Sequence, residues 1–91
     1  MIEENPNLIV LDVRTHGEYN LGHIKNAINI SYDQLTSRIN EITDFKEDIF
    51  LVYCESGRRS KEAVAILLEN EFNNIYQMYE GYKEYKEIEN D

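Results

Sequence analysis

The residues with the most chemistry in this chain sit together in "CESGRRS", residues 54 to 60. Cys54 is the only cysteine, and Arg58, Arg59 and Lys61 crowd beside it in a protein whose formal net charge is -9. A thiol reacts as its thiolate, which is favoured by nearby cations and by the N-terminal end of a helix. Gly57 allows a backbone conformation denied to residues with a Cβ. The loop Glu55, Ser56, Gly57, Arg58 can therefore aim several N–H groups at one anion before a helix begins. Basic residues at a helix start oppose the macrodipole. A cluster carrying that local cost points to an anionic client more than to ordinary surface charge. Cys54 is thus expected to be a nucleophile, unusually acidic and solvent-accessible. The plainer reading of a lone cysteine ending a strand is a small buried hydrophobe. The glycine and arginines that follow shift the balance towards reactivity.

The flanking segments supply the elements that must hold this loop. "LIVLDV", residues 8 to 13, is a short β-branched run after Pro6 and predicts a buried strand. "THGEYNLGH" is polar, with Gly17 and Gly22, and suits a short helical turn or a loop, with Thr15 and Glu18 at capping-box spacing. "NAINIS", residues 26 to 31, predicts a second, shorter strand. In "SYDQLTSRINEI" Leu35, Ile39 and Ile42 fall at helical spacing, with Ser31 or Asp33 as N-cap. "DIFLVYC", residues 48 to 54, is apolar on both faces, as a central parallel strand is.

From Arg59 to Phe72 the pattern is helical, with Ala63, Ala65, Ile66, Leu67 and Leu68 as packing surface, extended by Val64 and Phe72. "NIYQM", residues 74 to 78, predicts the last strand. In the closing charged segment Tyr82, Tyr85 and Ile88 share one face, expected to dock on the domain. Alternating strands and helices predict an α/β fold, a parallel sheet of about four strands with helices on both faces. In such a sheet ligands bind beyond the carboxyl ends of the strands, where Cys54 falls.

Composition bounds the rest. The 91 residues suit one domain spanning 1–91, with a modest core. The net charge of -9 argues against nucleic-acid or anionic-membrane partners. The acidic N-terminus lacks the features of a signal peptide. One cysteine cannot make an internal disulfide, so a cytoplasmic location is expected. His and Cys are too few, and wrongly spaced, for a metal site.

"CESGRRS" resembles the active-site loop of single-domain rhodaneses, C-x-x-G-x-R-S, at Cys54, Gly57, Arg59 and Ser60. Upstream, "LDVRTHGEYNLGHIKNAINIS" is similar to the family's D-V-R, E-Y, G-H-I and A-x-N-I signature. It matches at Asp12, Val13, Arg14, Glu18, Tyr19, Gly22, His23, Ile24, Ala27, Asn29 and Ile30. The resemblance covers about Leu8 to Tyr82. It implies a sulfurtransferase in which Cys54 takes the sulfane sulfur of thiosulfate or a persulfide and passes it to cyanide or a thiol, a protein thiol among them. It implies no metal or organic cofactor. A monomer is expected. The family usually has an additional strand and helix before D-V-R; only seven residues precede Leu8 here, so that strand is expected to be missing or short. Where the family often carries G-G and a Trp near the C-terminus, this chain has Glu80, Gly81 and Tyr82.

Around the loop, Asp12, Arg14, Glu18 and His23 are supporting candidates. Arg14 and Glu18, four apart, are expected to pair across a helical turn. His23 resembles a structural residue of the family rather than a base for Cys54, and His16 is expected on the surface. Glu55 either repels anionic donors, tunes acceptor choice, or decorates the surface. Arg59 is expected to brace the loop through Asp12 or Glu18, leaving Arg58 to meet the donor. Three other functions compete. Cysteine-dependent phosphatases of related fold place five residues between Cys and Arg, whereas four separate Cys54 from Arg59. The other two are a non-catalytic binding module and a persulfide carrier.

Overall fold

The computed structural model describes residues 8–55 and 58–78. Strand β1 (Ile9–Asp12) is followed by α1 (His16–Asn20), β2 (Ile28–Asn29), α2 (Leu35–Arg38), β3 (Phe50–Tyr53), α3 (Arg58–Glu69) and β4 (Ile75–Gln77). Two 3-10 turns, Ile39–Glu41 and Thr43–Phe45, continue α2 towards β3. Every strand pair is parallel, in the order β2-β1-β3-β4. The α/β sheet of four strands is the one expected, with β3 buried along its whole length. Segment 79–91, with Tyr82, Tyr85 and Ile88, lies outside the described residues, as do residues 1–7 and the question of an additional first strand.

Strand alternation sends successive side chains to opposite faces and so builds two cores. On one face Leu11, Val13, Phe50, Val52 and Cys54 pack with Leu35 of α2 and with Ala63 and Leu67 of α3. Phe72 closes this layer edge-on against Phe50, their ring centres 5.4 Å apart. On the other face Val10, Leu51, Tyr53, Ile24, Ala27 and Met78 cluster, with Tyr19 of α1 packed against them. No helix among the described residues is long and apolar enough to cross a membrane.

Three local expectations differ from the structure. Neither Ser31 nor Asp33 caps α2: its N-cap is Gln34, with no side-chain cap, while Ser31 Oγ donates to Asp33. The expected long helix over residues 31 to 42 is instead one α-helical turn passing into tighter 3-10 turns. On α3, Ala65 and Leu68 face solvent, Leu68 at 54% exposure. The helix rests on the sheet through Ser60, Ala63 and Leu67, spaced three and four apart, so residues at the opposite helical angle point outward.

Candidate active site

Asp12 ends β1 and Cys54 follows β3, so the parallel register brings both to one edge of the sheet. The Thr15 hydroxyl accepts from Glu18 N–H while the Glu18 carboxylate accepts from Thr15 N–H, completing the expected capping box of α1. At the end of α1, Gly22 adopts φ 146, a region L side chains rarely enter. Its carbonyl accepts from Arg14 Nη2 at 2.6 Å.

Cys54 is fully buried, which corrects the expectation of an accessible thiol. It lies two residues beyond Val52 on the same face, and the first turn of α3 covers that face. Ser60, itself buried, donates its backbone N–H to Cys54 Sγ at 3.3 Å. Its hydroxyl accepts from Gln77 Nε2 at 3.0 Å, linking the helix start to β4. The sulfur therefore sits under a helix N-terminus with a backbone donor aimed at it. Ser56 and Gly57 lie outside the described residues.

The supporting residues form two clasps across this loop. In the first, Arg14 is buried and donates from Nε and Nη2 to Asp12, the shortest contact being 2.7 Å. Its Nη1 reaches Glu55, next to the cysteine, at 3.0 Å. Burial alone would lower the Arg14 pKa; the Asp12 hydrogen bonds and charge outweigh it and hold the guanidinium well above its ordinary value. Tyr53 completes the network, donating its hydroxyl to Asp12 at 2.7 Å and accepting from Ile24 N–H. Burial pushes the Tyr53 phenol well above its usual range, so it stays a donor.

In the second clasp Arg59 grips Glu18 with both nitrogens, at 2.9 and 3.0 Å, and lies over the Tyr32 ring at 5.8 Å. Of the two carboxylates expected for Arg59, Glu18 is the partner. The expected Arg14–Glu18 pair does not form, because β1 leads Arg14 into the buried Asp12–Tyr53 network and leaves Glu18 facing α3. Arg58 is exposed at the start of α3, and among the described residues no ion pair reaches it.

His23 is exposed, stacked on Tyr19 with ring centres 3.7 Å apart and its Nδ1 2.9 Å from the Tyr19 carbonyl. His16 is exposed beside Asn29. Tyr53 and Gln77 were not singled out by the sequence, and Asn29 only as part of the resembled signature. Asn29 donates to the carbonyls of Asp12 and Arg14, tying β2 to the segment below the site. A tyrosine inside an otherwise apolar strand is a usable signal, because its buried hydroxyl requires a partner.

The geometry separates the two arginines. Arg58→Ala is expected to raise KM for an anionic substrate with a smaller effect on kcat. Arg59→Ala is expected to lower kcat and also cost more than about 1 kcal/mol, the ceiling for ordinary exposed pairs. Urea titration and steady-state kinetics check both; equal, purely KM effects would show a shared positive patch instead.

The Glu18 hydrogen bonds from Arg59 lower its pKa from 4.5 to about 2. A depressed carboxylate stabilises the fold in full above its ordinary pKa, and that share fades as pH falls towards 2. Wild-type stability should therefore drop from pH 5 to pH 2 more steeply than that of Arg59→Ala, followed by thermal melts. Parallel slopes would refute the assignment.

With this geometry in place, comparisons with known proteins agree on its kind. The family model of the rhodanese-like domain matches residues 1–88. Curated relatives named tRNA uridine(34) hydroxylase, from Hamiltonella defensa and Buchnera aphidicola, are 36% and 35% identical over 86 residues. The match takes in 90% of this chain and only 24% and 28% of theirs, so the chain spans about a quarter of their length. A rhodanese-related protein from Thermoplasma volcanium superposes with a TM-score of 0.80 at 30% identity, covering 90% of this chain and 79% of its own. An E. coli structure described as "rhodanese with anions" gives a TM-score of 0.74 at 33% identity, covering 84% and 88%.

Proposed function

The chain belongs to the rhodanese-like domain family, and on that footing we propose that it is a sulfurtransferase, acting as a single domain and a cytoplasmic monomer. The observation that carries this reading is Cys54 itself. Its sulfur lies at the carboxyl end of β3 under the first turn of α3, receiving the Ser60 N–H, inside the loop pattern C-x-x-G-x-R-S. Cys54 as thiolate attacks the outer sulfur of thiosulfate or a persulfide. The donor S–S bond breaks, and its electron pair leaves with sulfite or a thiolate. The helix N-terminus stabilises the resulting Cys54 persulfide, whose terminal sulfur then passes to cyanide or an acceptor thiol. Asp12, Arg14, Glu18 and Arg59 hold the loop in register, and His23 takes no part in proton transfer. The four-residue spacing from Cys54 to Arg59 leaves a nest suited to one sulfur rather than a phosphoryl group.

The test is to incubate the protein with thiosulfate and with cysteine persulfide and record the intact mass. One added sulfur on Cys54, removed by cyanide or a thiol, is expected. No added sulfur from either donor would overturn the reading.

A second reading draws on the relatives named tRNA uridine(34) hydroxylase: this chain would act on tRNA, with Cys54 at its centre. The net charge of -9 weighs against direct tRNA binding by these 91 residues. A gel-shift titration with tRNA at low salt separates the two readings, and saturable binding would favour the second.

A further inference from the structure

We infer that Glu55 makes this site select against doubly charged thiosulfate and for a persulfide donor, R–S–SH. The inference rests on the sulfur-transfer reading and names its donor class. The sequence shows a cationic loop, and among the described residues folding pairs one of its three cations, Arg59, internally, while Arg14 beside it is also held by carboxylates. Arg59 is held at both nitrogens by Glu18. Arg14 lies between two carboxylates, Asp12 and Glu55. Summed over Asp12, Arg14, Glu18, Glu55, Arg58, Arg59 and Lys61, the formal charge around the loop is only +1.

Cys54 is fully buried, so a donor must push its outer sulfur inward and leave its remaining atoms at the loop. The Glu55 side chain, 39% exposed, is the carboxylate next along the chain from Cys54. Thiosulfate would bring two negative charges against it, or take Arg14 from it and leave Glu55 without its cation. Like charges meeting at a partly desolvated rim repel far more than in bulk water. A persulfide carries at most one negative charge on its reacting sulfurs, R–S–SH or R–S–S⁻, and meets a smaller penalty. Its transfer balances without a further reactant. The Cys54 thiolate forms a bond to the outer sulfur, the R–S bond to that sulfur breaks, and R–S⁻ departs with the electron pair. Cys54 is left as S–SH.

The experiment measures the rate constant for sulfur loading of Cys54 by intact mass, with thiosulfate and with cysteine persulfide as the two probes. It compares wild type, Glu55→Gln and Glu55→Asp, each checked for folding by circular dichroism. Glu55→Gln is expected to raise the thiosulfate-to-persulfide rate ratio tenfold or more at low salt. Glu55→Asp, which keeps the charge, should stay near the wild-type ratio. Added salt should shrink the difference, since exposed charges are screened. An unchanged ratio in Glu55→Gln, or an equal rise in Glu55→Asp, would overturn the inference while leaving sulfur transfer intact. Absence of loading by either donor in all three proteins would instead sink the sulfur-transfer reading, and this inference with it.

Discussion

Cys54→Ser is expected to lose sulfur loading altogether and to reduce sulfurtransferase turnover by at least about 10³-fold, as removal of a nucleophile does. A serine hydroxyl at this position can still accept the Ser60 N–H, so the fold should survive with a change of only about 1 kcal/mol. This pairing of a large functional loss with a small stability loss distinguishes a nucleophile from a buried hydrophobe. If Cys54 merely fills the core beside Val52 and Ala63, the substitution would lower the melting temperature and leave any turnover in place. Intact mass after incubation with thiosulfate or cysteine persulfide, alongside a thermal melt of the same sample, reads both quantities. Retention of sulfur by Cys54→Ser would remove the cysteine from the mechanism.

Asp12→Ala is expected to produce the largest stability loss in the chain. Asp12 is fully buried and receives Arg14 N–H, Nε and Nη2 together with the Tyr53 hydroxyl. Removing it leaves a buried guanidinium without its main counter-charge, a change that costs about 3–5 kcal/mol. A domain of this size has only about 5–15 kcal/mol in total, so the variant should melt lower by well over 10 °C. Arg14→Ala should cost less than Asp12→Ala, because a carboxylate left behind still has Tyr53 as donor. The double variant should cost clearly less than the sum of the two single ones, since the stranded charge is gone. Additive losses in urea titrations would show that the two residues do not stabilise the fold as a pair. Loss of turnover should accompany the stability loss even at low temperature, because Arg14 also holds Glu55, the residue next to Cys54.

Local interactions were legible without the fold. The capping box joins residues three apart, and it formed as its spacing implied. The apolar run of β3 and the helical pattern that follows located Cys54 at a strand-to-helix turn. Alternation of strands and helices gave the parallel sheet. Each of these depends on residues close in sequence or on the side-chain period of one element, which is why order along the chain was enough.

What the tertiary structure alone decided is which partner each charge takes and which way each side chain faces. By spacing, Arg14 would pair with Glu18; in the fold it pairs with Asp12 and with Glu55, 41 residues away, and Glu18 goes to Arg59. That exchange follows from the β1–β3 register, which sets Asp12 opposite Tyr53 and puts both side chains on one face. The burial of Cys54, against an expectation of exposure, and the outward turn of Ala65 and Leu68 follow from how α3 lies over β3. A helix has many apolar residues but only one stripe wide enough to meet a sheet. Its choice of stripe is fixed by packing against strands brought together from distant parts of the chain, information that residue spacing within the helix does not contain.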